Sequence, residues 1–95
     1  MNVKYSDAAK TDLKKISNWI AEENPVRAHS FVKELRATCE GLSLFPLANQ
    51  SIGLFHERTL RRKVSGNYLI FYIADDETLE IVRVLHGAQD YSDLF

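Results

Sequence analysis

Tyr68-Leu69-Ile70-Phe71-Tyr72-Ile73 sets six large apolar or aromatic side chains in a row. In a strand successive side chains point to opposite faces, so this segment is apolar on both, the pattern of a strand central in its sheet. Residues 60–64 and 79–86 read as strands flanking a central one at 68–74. The joins, Ser65-Gly66-Asn67 and Asp75-Asp76-Glu77-Thr78, are short and rich in turn residues, which makes the three strands an antiparallel meander.

Upstream the period changes. Ala9, Leu13, Ile16 and Ile20 recur at helical spacing, and Ser6 and Asp7 offer side-chain oxygens to cap the helix start. This helix stops near Glu23, because the residue before a proline is pushed out of helical geometry. Asn24-Pro25 then supplies an N-cap with proline at the first helical position, and Ala28, Phe31, Leu35, Cys39 and Leu42 form the next stripe. The second helix is expected to end around Leu44-Phe45-Pro46, with a loop from there to about Glu57. Val3 and Tyr5 alternate with polar neighbours and open the chain as a short strand.

The resulting fold class is α+β: an N-terminal strand, a helical hairpin, then a three-stranded antiparallel meander, with the helices packed on one face of the sheet. Residues 1–95 form one domain. A chain of this size has a thin core, so a partner covering part of it adds appreciable stability. Cys39 is the only cysteine; an internal disulfide is impossible, and its place on the apolar stripe makes it a small buried hydrophobe. The start has no apolar stretch of the secretory kind and no run reaches a membrane span, so a cytoplasmic protein with no membrane association is expected. A net charge of −1 argues against broad adhesion to nucleic acid. His29, His56 and His86 show no ligand spacing, and there is no phosphate-cradling glycine loop; no metal and no cofactor are expected.

Ile81-Val82-Arg83-Val84-Leu85-His86-Gly87-Ala88-Gln89-Asp90, taken with Asn67-Tyr68-Leu69-Ile70-Phe71-Tyr72, resembles the ParE toxin group of the RelE/ParE superfamily. Ala8, Asp12-Leu13, Ile16 and Trp19-Ile20-Ala21-Glu22 are similar to the family's first helix, and Asn24-Pro25, Ala28, Phe31 and Leu35 to its second. Leu44-Phe45-Pro46 matches the link toward the sheet. The resemblance implies the toxin of a type II toxin–antitoxin pair, held in a hetero-oligomer by a ParD-like antitoxin and inhibiting DNA gyrase by protein binding. It implies no catalytic residue and no direct nucleic-acid binding by the toxin alone. RelE relatives instead cut messenger RNA on the ribosome. That activity is disfavoured here, because Gln89 stands where an arginine is usual and Phe95 near where the RNA cutters place a tyrosine; glutamine cannot neutralise a phosphate and a phenyl ring cannot move a proton. A non-toxic relic that only captures antitoxin is the remaining alternative.

The candidate partner-binding residues are Trp19, Arg58, Arg61, Arg62, Arg83, His86, Tyr91 and Phe95. Arg58, Arg61, Arg62 and Lys63 are the one basic cluster. On a strand Arg61 and Lys63 face away from Arg62, and the cluster either blunts an edge strand or meets acidic groups of a partner. Arg83, within an apolar strand, either projects from the open sheet face or has a carboxylate partner. The open face is the expectation, where Arg83 lines the antitoxin groove. His86 either titrates at a site or serves the strand exit through a hydrogen bond. Trp19 sits beside the helical stripe, as a core edge or as an anchor for a partner. Convergence of Arg61, Arg83 and His86 on one concave spot would favour the RNA-cutting reading, and divergence would weaken it.

Overall fold

The computed structural model describes residues 1–92. Strand β1 (Asn2–Tyr5) leads into helix α1 (Asp7–Ala21), followed by α2 (Pro25–Gly41) and a 3-10 turn (Leu42–Leu44). Four strands complete the chain: β2 (Gln50–Phe55), β3 (Arg58–Ser65), β4 (Tyr68–Ala74) and β5 (Thr78–His86). The sheet order is β1-β5-β4-β3-β2, with β1 parallel to β5 and every other pairing antiparallel. The apolar segment 68–73 is thus the middle strand, as its two-faced pattern requires.

Both helices begin at the expected caps. Ser6 Oγ accepts the Ala9 N–H at 3.0 Å, and Asn24 Oδ1 accepts the Arg27 N–H at 3.0 Å with Pro25 at the first turn. Ala9, Leu13, Ile16, Leu35, Cys39 and Leu42 bury against Tyr68, Ile70, Tyr72, Leu79, Ile81 and Val84, the inward set of β4 and β5. Leu60, Phe71, Ile73, Val82 and Leu85 form a second cluster on the opposite face, covered in part by Ile52, Phe55, Leu69 and Tyr91.

Three expectations are corrected. The stretch before Glu57 is not all loop: Gln50–Phe55 is an edge strand, whose alternation is masked by an irregularity between Ser51 and Gly53. The strand holding the basic cluster is consequently interior, with β2 outside it, so blunting a sheet edge is not its role. The helices also end earlier than read, at Ala21 and Gly41, the second tightening into the 3-10 turn before Phe45.

Cys39 is fully buried, and Tyr5, whose hydroxyl has no oxygen or nitrogen partner, lies against its thiol. Burial pushes the Cys39 thiol up to about 11 from an ordinary 9.0 and the Tyr5 phenol up to about 12. The fold therefore favours the neutral thiol. That contribution is complete below pH ~9 and is lost as pH rises toward 11, because the unfolded chain ionises first. About 2–3 kcal/mol of stability is expected to disappear across that window. Denaturant midpoints measured from pH 8 to 11 check this, and Cys39→Ala should flatten the part of the slope below pH ~10.

Candidate partner-binding groove

Strand β5 is nine residues long, but β1 accompanies only its first half: the last paired residues are Tyr5 and Ile81. Beyond them, residues 82–86 have no strand on that side, and α1 closes over the gap. Ser6 Oγ, already the helix cap, donates to the Val82 carbonyl at 2.7 Å. Asp12, nearly two turns further on, accepts the Val84 N–H through Oδ2 at 3.0 Å. Two side chains of the helix thus satisfy backbone groups that a neighbouring strand would otherwise take.

The same carboxylate holds Arg83. Nε donates to Asp12 Oδ2 at 2.7 Å and Nη2 to Oδ1 at 2.8 Å, a two-bonded pairing whose hydrogen bonds raise the guanidinium pKa further against the opposing effect of burial. Asp12 is 6% exposed, the one buried charged residue among the described residues. A shift in register accompanies the pairing: Phe71 faces Arg83 while Tyr72 faces Ile81, leaving Val82 as the extra residue of a bulge. Bulges re-aim side chains, and this one keeps Ile81 and Val84 both in the helix-side core. Both readings of Arg83 hold in part: it stands opposite Phe71 of the far-face cluster and lines a hollow on that face, and its guanidinium has a carboxylate partner, Asp12.

Alongside lies a groove of about 450 Å³, lined by Asp12, Lys15, Ile16 and Trp19 of α1 and, across from them, by Tyr68, Arg83, Val84, Leu85, His86 and Gln89. Trp19 is 65% exposed, so it is not the edge of the core; it stands up as a wall of the groove. His86 packs edge-on to Tyr68 with ring centroids 5.2 Å apart, and its Nδ1 accepts the Ala88 N–H at 3.1 Å. Gly87 donates to Asn67 O at 2.7 Å, and a Cβ there would meet that oxygen at 3.2 Å, so the chain leaves the strand by a path that suits glycine.

Of the residues singled out from sequence, Trp19, Arg83 and His86 come together here. The others do not. Arg61 lies on the helix side of β3, where Nη1 donates to the Asn49 carbonyl at 2.8 Å and to that of Leu47 at 3.4 Å. Arg62 points to the opposite face and donates to the Tyr91 hydroxyl at 2.9 Å and to Gln50 Oε1 at 3.2 Å. Tyr91 stacks on Phe71 with centroids 5.0 Å apart. Arg58 reaches Asp75 at 3.3 Å and, with Phe55, His56 and Val82, lines a second hollow of about 500 Å³ on that far face. Phe95 lies outside the described residues. Sequence reasoning missed Asp12, Lys15 and Ile16 as groove residues. The signal for Asp12 was present: it falls between Ala9 and Ile16 at spacings of three and four, and an acid on a core face requires a cation.

Tyr91 therefore acts first within the chain, as the anchor of the last described turn. Tyr91→Ala is expected to cost about 2 kcal/mol through lost ring burial and a released Arg62. Urea titration checks this, and Tyr91→Phe should recover most of the loss.

The helical hairpin is thus latched by capping and carboxylate bonds to the bulged final strand of a five-stranded sheet. Residues 3–91 match the family model described as the ParE toxin of the type II toxin–antitoxin system parDE, and the chain belongs to that family. The solved chromosomal ParDE toxin–antitoxin system from P. aeruginosa is similar with a TM-score of 0.74 at 15% identity, covering 90% of this chain and 95% of that one. The toxin–antitoxin complex RelBE2 from Mycobacterium tuberculosis matches with a TM-score of 0.65 at 25% identity over 90% of this chain and 95% of that one. The archaeal RelE-RelB complex from Pyrococcus horikoshii OT3 follows, with a TM-score of 0.55 at 13% identity over 94% and 97% of the two chains. No curated protein matches the chain in sequence.

Proposed function

We propose that this toxin acts by binding and not by bond cleavage, holding DNA gyrase in a cleaved state, and that a ParD-like antitoxin neutralises it by occupying the groove between α1 and β5. The observation that carries this reading is that the arginines of the sheet are each committed to a group of the chain itself, Arg58 and Arg83, which line one hollow, being paired with Asp75 and Asp12. Cutting a phosphodiester needs a base, an acid and positive charge gathered at one phosphate. Arg83 is committed to Asp12, Arg61 to two loop carbonyls on another part of the sheet, and Arg62 to Tyr91 on the opposite face. His86 shares the groove with Arg83 but its Nδ1 already accepts a backbone hydrogen bond. The groove itself favours a peptide: an apolar floor of Ile16, Val84 and Leu85 beside the aromatic wall of Trp19. Antitoxin partners in the ParDE and RelBE complexes of similar fold support the same reading. With purified gyrase, ATP and relaxed plasmid, the protein is expected to halt supercoiling at concentrations near that of the enzyme. Unimpaired supercoiling together with ribosome-dependent mRNA cleavage would replace this reading with the RNA-cutting one.

A further inference from the structure

Between α2 and β2 the chain carries Leu44, Phe45 and Leu47, which are 75%, 74% and 71% exposed. Three large apolar side chains within four residues, all in water, are a costly display unless something covers them. The loop that presents them is fixed from beneath. Tyr72, with no exposed surface, donates its hydroxyl hydrogen to the Pro46 carbonyl at 2.8 Å and accepts from Asn49 Nδ2 at 3.2 Å. Arg61 holds the Leu47 and Asn49 carbonyls, and the Ala48 N–H donates to Phe45 O at 3.1 Å. A protrusion so braced loses little conformational entropy when it docks.

The charge pattern around it states what kind of surface it fits. Residues 41–56 contain no Asp, Glu, Lys or Arg. Residues 41–74 contain four cations, Arg58, Arg61, Arg62 and Lys63, against a single anion, Glu57, in a chain whose net charge is −1. Arg61 and Lys63 face the helix side of the sheet, opposite Tyr72 and Ile70, the side on which the loop lies. An uncharged apolar centre with Arg61 and Lys63 beside it on the same face is the anatomy of a protein interface core with a charged rim; Arg58 and Arg62 lie on the other face and take no part. None of these residues lines the α1–β5 groove, so a partner here and a peptide there use separate surfaces.

We propose that the Leu44, Phe45 and Leu47 loop is the surface that engages the target protein, inserting into an apolar cleft ringed by carboxylates; resting on the gyrase reading above, that cleft belongs to a gyrase subunit. Tyr72 and Arg61 are positioning residues that act through the loop. The test is the double variant Phe45→Ser/Leu47→Ser, whose high exposure leaves folding intact, as an unchanged melting temperature verifies. Its half-maximal concentration in the gyrase supercoiling assay is expected to rise at least tenfold, while its affinity for antitoxin by calorimetry stays within twofold. Tyr72→Phe, which keeps the buried ring and frees the loop, is expected to raise that concentration about threefold at unchanged antitoxin affinity.

Full potency of the double variant beside a potent wild type overturns the loop assignment and spares the gyrase reading. Wild-type protein without effect on gyrase overturns both. A variant that loses antitoxin affinity in parallel assigns the loop to the antitoxin and refutes the proposal. A variant that loses affinity for a naked fluorescent duplex, measured without gyrase, assigns the flank to nucleic acid and refutes it equally.

Discussion

Replacing Asp12 by alanine is expected to destabilise the fold by about 3–5 kcal/mol, a large share of the total stability of a domain this size. The carboxylate makes three hydrogen bonds, two with Arg83 and one with the Val84 N–H, and is almost wholly removed from water. Its loss leaves the partly buried Arg83 guanidinium without its partner and a buried backbone donor unsatisfied at the bulge. Asp12→Asn should cost less, since the amide oxygen can still accept one of the bonds. Arg83→Met should also cost less than Asp12→Ala, because Arg83 retains more contact with water, its side chain being 22% exposed against 7% for Asp12. Equilibrium urea unfolding of the three variants checks the order, and equal small effects would mean that the pair does not latch α1 to β5. Charge reversal at Arg83 would set two carboxylates against each other, so weakened antitoxin binding in that variant would report the fold before it reported the groove.

Trp19→Ala is expected to weaken antitoxin binding by about 30-fold, the loss of roughly 2 kcal/mol typical of an aromatic anchor. The indole is mostly exposed in the free chain, so truncation should scarcely move the melting temperature. Bound, it would be covered by a peptide lying along Ile16, Val84 and Leu85, with Lys15 and His86 at the rim to receive acidic side chains. Calorimetric titration of variant and wild type with antitoxin reads the change directly. Unaltered affinity would remove Trp19 from the interface and move the antitoxin elsewhere on the toxin.

The fold was legible in the sequence where periodicity was clean. Ala9, Leu13 and Ile16 announce one helix, Ala28, Leu35 and Cys39 the next, and the doubly apolar segment 68–73 its central strand. What escaped was local irregularity. The edge strand β2 hides behind the register shift between Ser51 and Gly53, which breaks the two-residue alternation that reveals strands. The bulge at Val82 had the same effect on the site: strict alternation from Ile81 would put Arg83 on the helix side, but the extra residue sets it opposite Phe71 of the far-face cluster, and it meets Asp12 at the stretch of β5 that β1 leaves unpaired. No local pattern shows that a residue 71 positions away supplies its partner. The exposure of Leu44, Phe45 and Leu47 was equally hidden, because an apolar run at a helix end carries no periodicity that says whether it is covered.

The most direct test of the account is a cleavage assay with purified gyrase, ATP and supercoiled plasmid, stopped with detergent and protease so that trapped breaks appear as linear DNA. Linear DNA is expected to rise with added toxin and to disappear when antitoxin is supplied in equal amount. Folded toxin that produces no linear DNA under these conditions, with or without antitoxin, would contradict it.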